Sequence, residues 1–379
     1  MKKDLLLLTI SDLLFFGAES LLALFGIIFF YNKFNSVFLA VAPFILIHIT
    51  QGFILPIGGK LIFKYGLKQS LIFSTCLYVI ATLLIFATNG SYTFEILCLW
   101  SLLIGIGNMC HYVPVIYILG SQTQHSNRGR VFSLRRILFI TGTVTLPLIG
   151  GLISDNFGFN GLLITCIGLY LLYNIPIIYL SKIEAVPPKS LFRTLTTMRG
   201  KRIMLYKISE VFSNNIGTYW PLYVFIVLAG SFSEVGVLFA LVSLITIVLT
   251  YLTGKALDKT PRIKLYSLAS FTNFIAWIAR ALSFNYITVL IADVGFKLNH
   301  EFKAQIIEVV EYDLMNDHVN SARASIIILR ETLVNYLIAF VLFVGALSIT
   351  LWGFQITFII FGFLGFIFTQ LMRLFLKRK

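Results

Sequence analysis

Gly59-Lys60-Leu61-Ile62-Phe63-Lys64-Tyr65-Gly66-Leu67-Lys68 is a short basic break between two apolar runs. A version of it returns 195 residues later as Gly254-Lys255-Ala256-Leu257-Asp258-Lys259, followed by Arg262 and Lys264. The same offset carries Arg128 onto Arg323 and Arg135 onto Arg330. Near the start of each half, Ile10-Ser11-Asp12 recurs as Ile208-Ser209-Glu210 at an offset of 198, a register difference that a three-residue indel accounts for. These matches fall at equivalent points of the hydropathy pattern. A chain that repeats its architecture inside a membrane is expected to move something through the interface between its halves.

Composition sets the solvent. Mean hydropathy is +0.90, with 58% hydrophobic and 12% charged residues, against about 25% charged in a soluble domain. Such a chain cannot cover itself with polar surface, so lipid is expected to surround most of it. The formal charge of +14 raises nucleic acid as a partner. The bases, however, stand singly or in pairs between apolar runs of about 20 residues, the length that spans a bilayer, and no nucleic-acid partner is expected. Lys2 and Lys3 precede an apolar stretch that reaches about Phe30 and contains Asp12 and Glu19, which is too long and too charged for a cleavable signal. Cys76, Cys98, Cys110 and Cys166 all fall inside apolar segments without CxxC spacing and read as small buried hydrophobes.

Apolar segments run roughly over 5–30, 37–59, 69–88, 94–119, 131–152, 161–181, 204–229, 233–253, 264–283, 286–305, 323–347 and 352–373. In lipid every backbone polar group needs an internal partner, so these are predicted helices. The expected fold class is an all-α membrane protein with about twelve transmembrane helices in two pseudo-symmetric six-helix halves. Residues 1–181 form the first half, 182–203 a polar linker with Pro187-Pro188, and 204–379 the second half. Lys60, Lys64, Lys68, Arg128, Arg130, the bases of the linker, Lys255, Lys259, Arg262, Lys264, Arg323 and the C-terminal bases fall on one set of alternate loops, and only Lys33 and Arg280 near the other. The positive-inside rule makes the rich side cytoplasmic, with both termini there, in a plasma membrane such as a bacterial inner membrane. The acids Glu308, Glu311, Asp313 and Asp317 interrupt the pattern locally but weigh little in orientation.

A charge near the bilayer centre costs about 2.5–3.5 kcal/mol even on insertion scales, so intramembrane polar residues are candidates for a substrate or ion pathway. The first segment carries Asp12 and Glu19, seven apart on one face; the fourth carries Asn108 and His111; the seventh Glu210, Asn214, Asn215, Tyr219 and Trp220; the tenth Asp293, Lys297 and His300 at i, i+4 and i+7. Glu19 stands out because no base shares its segment near mid-membrane. Each of the others has a plainer alternative. Asp293 and Lys297 could form a neutralised helical pair, His111 could be a buried hydrogen-bonded histidine, and Asp12 and Glu210 could cap or gate. The paired amides Asn214-Asn215 predict an unwound segment. Arg135 and Arg330 lie about two turns into their segments, where they either snorkel to the surface or form an inner gate. No Walker pattern, Gly-x-Ser-x-Gly elbow or His-Glu-x-x-His is present, so neither an enzyme nor a bound metal or cofactor is expected.

The Gly/Lys loops, the two apolar halves and the basic linker resemble the major facilitator superfamily. Its loop reads Gly-x-Leu-x-Asp-Arg-x-Gly-Arg-Arg/Lys. Gly59, Leu61, Lys64, Gly66 and Lys68 fit with Lys for Arg, while Phe63 replaces the Asp; Gly254, Asp258 and Lys259 fit in the second copy. Pro147-Leu148-Ile149-Gly150-Gly151 is similar to a Gly-Pro-x-x-Gly-Gly stretch of the same family, with Leu146 in place of the first Gly. Trp100 and Ser101 stand before Gly105-Ile106-Gly107 where many members carry an Arg associated with proton coupling.

The resemblance implies a secondary active transporter that moves a small solute by alternating access, with segments one, four, seven and ten around a central cavity. It implies a gate built from Gly59, Phe63, Lys64, Gly254, Asp258, Lys259, Arg128, Arg130, Arg135, Arg323 and Arg330. Asp258 would meet the N-terminus of the fifth segment near Arg128 and Arg130, whereas Phe63 would pack on the eleventh segment. The partners expected are a small-molecule substrate, a coupling proton or sodium ion or none, and the bilayer, with the chain acting as a monomer. A lipid or lysolipid flippase of the same fold, and a non-transporting membrane sensor or assembly protein, are the alternatives.

Overall fold

The computed structural model describes residues 3–86, 93–122, 128–183, 185–188, 198–228, 230–257, 262–316 and 320–377. They are almost entirely helical. The helices are α1 (Lys3–Phe34), α2 (Val37–Tyr65), α3 (Leu67–Phe86), α4 (Thr93–Gln122), α5 (Arg128–Ile178), α6 (Met198–Asn214), α7 (Trp220–Leu228), α8 (Phe232–Leu257), α9 (Arg262–Ala281), α10 (Tyr286–Asn316) and α11 (Asn320–Lys377). Seven helical segments among the described residues are long and apolar enough to cross a membrane. Large apolar side chains are exposed on the outside of the bundle, including Phe53, Ile57, Ile164 and Leu351, as a lipid-facing surface requires.

Local sequence explains where helices stop. The Ser36 hydroxyl accepts the backbone N–H of Leu39 and starts α2. Gly66, at φ 112°, ends it and donates its N–H to the Ile62 carbonyl. The fifth and sixth apolar segments lie on one helical run, α5, broken only at Gly158 with φ 69° and ψ 179°. The last two likewise lie on α11, broken at Gly353 with φ 82° and ψ 172°. At such positive φ a side chain is strained, so a single glycine does the work of a loop.

The chain doubles back at Gly158. The first arm of α5 meets α1 at Asp12 and then at Leu21 and Phe25. The second arm begins with Phe159 stacked on Phe29 at 3.9 Å and ends where the Ser181 N–H bonds Asp4. The two arms therefore run in opposite directions along α1.

The amide pair marks a real change of helix type. α6 gives way to a 3-10 turn over Asn215–Tyr219 before α7 begins. The carbonyls freed by such a change need new donors. Trp277 Nε1 donates to the Ser213 carbonyl at 2.9 Å, and the Tyr219 hydroxyl donates to the Leu342 carbonyl.

Helices before the linker meet those after it along two main seams, α2 against α11 and α5 against α8. Both seams need glycine. A Cβ at Gly59 would lie 2.8 Å from Ile328, and one at Gly236 would lie 2.3 Å from the Pro147 carbonyl oxygen. The Gly/Lys motif thus begins with the residue that lets α2 approach α11. The two ends of the bundle are distinct. Lys68 donates to the Ile178 and Leu180 carbonyls at the basic end. Phe25–Phe232 and Phe38–Phe343 ring contacts close the opposite end.

Two sequence expectations are corrected at this level. Phe63 does not pack on the eleventh segment: it is buried against Tyr117 of α4, with ring centroids 5.1 Å apart, because Gly59 rather than Phe63 faces α11. Cys76 is exposed on the outer face of α3 rather than buried, while Cys110 and Cys166 are buried; all four thiols are free.

Candidate functional site

A cavity of about 430 Å³ lies between the helices that precede the linker and those that follow it. α1 contributes Phe16, Glu19, Ser20 and Ala23; α2 contributes Phe44, His48 and Gln51. Trp100, Asn108 and Tyr112 come from α4, Tyr78 from α3 and Tyr170 from the second arm of α5. The far wall is Thr218 of the 3-10 turn with Glu331 and Asn335 of α11. Six Phe, Tyr and Trp rings and two carboxyl groups therefore face one space, and no Lys or Arg is among the described residues that line it.

The polar groups are tied to one another. The Tyr112 hydroxyl donates to Glu19, and the Tyr78 hydroxyl donates to Asn108 Oδ1. His48 Nδ1 and Asn335 Oδ1 bond at 2.7 Å across the α2–α11 seam. Glu331 pairs with its neighbour Arg330 at 3.2 Å. Glu19 has no basic partner among the described residues. Nor do any three His, Cys, Asp or Glu side chains there come close enough to hold a metal.

Of the residues proposed from sequence for the pathway, Glu19 and Asn108 line this cavity. Asp12 and His111 do not. Asp12 bonds Arg135 at 2.5 Å and His111 Nε2 at 3.1 Å, while His111 Nδ1 meets the Tyr173 hydroxyl at 3.1 Å. Phe15 stacks on the imidazole at 3.5 Å. Asp12 and Arg135 are each 8% exposed, so Arg135 does not snorkel to the surface but neutralises a buried acid. Removing one partner of a buried pair leaves the other charge uncompensated, at about 3–5 kcal/mol. Asp12→Ala should lower stability by that order in detergent unfolding, and adding Arg135→Met should recover most of the loss. A double variant as unstable as the single one would contradict the pairing.

The second cluster sits in the helices after the linker. Asp293 pairs not with Lys297, as helical spacing suggested, but with Arg280 of α9. Arg280 reads from sequence as a residue near the loop, yet it is 3% exposed. Its guanidinium lies 4.4 Å from the Trp220 ring, 4.8 Å from Trp277 and 3.5 Å from Phe296, a cation enclosed by aromatic faces. Lys297 turns to the Ser243 hydroxyl on α8, and His300 stacks along Phe296. Glu210 bonds Lys207 at 2.6 Å. Asn214 and Asn215 mark the 3-10 junction, and Tyr219 holds α11. None of these residues is in the lining of the cavity.

Among the gate residues, Asp258 and Lys259 lie outside the described residues. Arg128, Arg130 and Gly254 are on described helices, but their side chains are not among those described. Lys64 is exposed beside the Tyr65 ring. Arg323 is buried at the start of α11, and Arg330 pairs with Glu331. The acid at a helix N-terminus that the sequence placed at the basic end has a described counterpart at the opposite one. Asp155 of α5 accepts the N–H groups of Phe232 and Ser233 at 3.1 and 2.8 Å, and Ser231 Oγ accepts that of Glu234 at 3.2 Å. Three of the four free donors at the start of α8 are thereby satisfied, two of them from across the seam. Capping bonds contribute about 0.5–2 kcal/mol. Asp155→Ala should therefore lengthen the distance between spin labels at 157 and 241; an unchanged distribution would show the cap to be irrelevant to closure.

Sequence reasoning missed Tyr78, Tyr112, Tyr170, Glu331 and Asn335. Tyrosines are abundant in this chain, and only tertiary packing distinguishes those that share a cavity. Glu331 was legible as an intramembrane acid beside Arg330.

Comparison with known proteins fits this architecture. A search of curated protein sequences finds no match. The crystal structure of a bacterial homologue of the iron transporter ferroportin, in the outward-facing state, superposes with a TM-score of 0.68 at 14% identity, covering 99% of this chain and 98% of the other. The same state with soaked iron gives 0.67 at 14% identity, over 98% and 97%. These likenesses concern the fold. The Major Facilitator Superfamily profile matches residues 8–298, about three quarters of the sequence, and the chain belongs to that superfamily: it is a multi-pass membrane transporter.

Proposed function

We propose that the protein is a secondary transporter that moves a small solute by alternating access through the cavity between residues 1–181 and 204–379, with 182–203 as the cytoplasmic linker. The two arms of α5, the two arms of α11 and the interrupted run α6–α7 complete twelve spans with the remaining helices. The basic end is cytoplasmic in this reading, and one chain suffices because its own helices enclose the cavity.

The observation that carries the proposal is the placement of Glu19. An acid at this depth is expensive, yet it faces a cavity shared by both groups of helices and lacks a basic partner among the described residues. Of the four carboxylates expected to serve coupling, Asp12, Glu210 and Asp293 are neutralised by Arg135, Lys207 and Arg280. Coupling to a proton or sodium ion, where it operates, therefore falls to Glu19. The iron named for the structural relatives is not adopted as cargo, since no three His, Cys, Asp or Glu side chains come together among the described residues. Reconstituted proteoliposomes should pass a solute that empty liposomes retain, faster under an imposed proton or sodium gradient. No flux across metabolite classes would contradict transport.

A further inference from the structure

Resting on that transport reading, we propose that the cavity takes an organic cation, a protonated amine or quaternary centre carried on an apolar or aromatic body. Charge points that way first. The described lining residues include Glu19 and Glu331 but no Lys or Arg. Glu331 is answered by Arg330, which leaves Glu19, held by the Tyr112 hydroxyl, as the cavity's acid without a basic partner among the described residues. A buried carboxylate in this setting attracts a cation strongly, because little water is present to screen it.

The walls narrow the class further. Phe16, Phe44, Tyr78, Trp100, Tyr112 and Tyr170 line the same cavity as the acid. Aromatic faces attract cations, by about 2 kcal/mol or more when desolvated, and quaternary ammonium groups are typical occupants of such cages. A transition-metal ion is instead held typically by grouped His, Cys, Asp or Glu side chains, and no three of these come together among the described residues. An anion would meet two carboxyl groups and, among the described lining residues, no Lys or Arg. The volume of about 430 Å³ falls within the range of about 300–1,000 Å³ that holds drug-sized ligands. Elsewhere in the chain the buried Arg280 shows the same chemistry satisfied internally, with one carboxylate and three rings around a guanidinium. In the cavity the carboxyl group and the rings are present, and none of the described lining residues is a Lys or Arg.

Equilibrium binding of tritiated tetraphenylphosphonium to the purified full-length protein tests this. Its isosteric anion tetraphenylborate and Fe²⁺ serve as competitors. Saturable binding of the cation is expected, with at least tenfold weaker affinity in Glu19→Gln. A similar loss is expected in Phe16→Leu, which keeps the charge and removes one ring, and substantial recovery in Glu19→Asp. Equal competition by tetraphenylborate, full displacement by Fe²⁺, or unaltered affinity in both Glu19→Gln and Phe16→Leu would each overturn the proposal. Cation-selective binding without solute flux would leave the ligand class standing and defeat transport; flux without cation selectivity would do the reverse.

Discussion

Glu19→Gln should reduce transport about 10–100-fold while leaving the protein folded. The magnitude follows from the loss of a charge-assisted interaction, about 1.5–3 kcal/mol, at a group that the cavity exposes to its occupant. The fold should survive because the carboxamide oxygen can still accept from Tyr112, and no buried base loses its partner, since none pairs with Glu19 among the described residues. This sets Glu19 apart from Asp12, whose removal strands Arg135. The two variants should therefore separate cleanly: Glu19→Gln inactive and thermally normal, Asp12→Ala thermally impaired. Initial rates in proteoliposomes, normalised to folded protein, give the comparison. Wild-type rates in Glu19→Gln would remove Glu19 from the mechanism.

The second large effect is expected at Gly236. α5 and α8 approach so closely at the non-basic end that a Cβ on Gly236 would sit 2.3 Å from the Pro147 carbonyl oxygen, and one on Gly151 2.6 Å from that of Phe232. The obstacle is backbone, which cannot swing aside as a side chain does. Overpacking of this kind costs about 1–3 kcal/mol, equivalent to roughly a 5–150-fold shift between two states. Gly236→Leu should therefore wedge this end apart and depopulate the state with α5 and α8 in contact. Spin labels at 157 and 241 should report a longer distance, and transport should fall because one half of the cycle is blocked. A wild-type distance distribution would mean that this seam does not open and close as the mechanism requires.

Much of the fold was legible because a bilayer imposes few solutions. Runs of about 20 apolar residues become helices, and charge placement orders the loops. The Asn214-Asn215 interruption could be read as well, because two adjacent amides in an apolar run signal a backbone that needs other partners. The glycine hinges were not. Gly158 and Gly353 replace loops with single residues of positive φ, and nothing in their composition separates them from other glycines.

The site was half legible for a physical reason. Sequence identifies expensive polar residues but not what they face. Asp12, His111, Asp293 and Lys297 carry the same hydropathic signal as Glu19, yet each finds a partner from another helix: Arg135, Tyr173, Arg280 and Ser243. Helical spacing paired Asp293 with Lys297, although Arg280, thirteen residues away on a different helix, is the base it meets. Only tertiary contact separates a structural charge from one left facing a cavity.

Alternating access itself is tested most directly at Ala23, an exposed residue of the cavity wall on α1. In protein with Cys76, Cys98, Cys110 and Cys166 replaced, Ala23→Cys can be challenged with a membrane-impermeant maleimide from either face of oriented proteoliposomes. Labelling from both faces, with Gly236→Leu suppressing labelling from the basic face, is the predicted result. Labelling from one face only, whatever the substrate or gradient supplied, would contradict a cavity that opens alternately to the two sides.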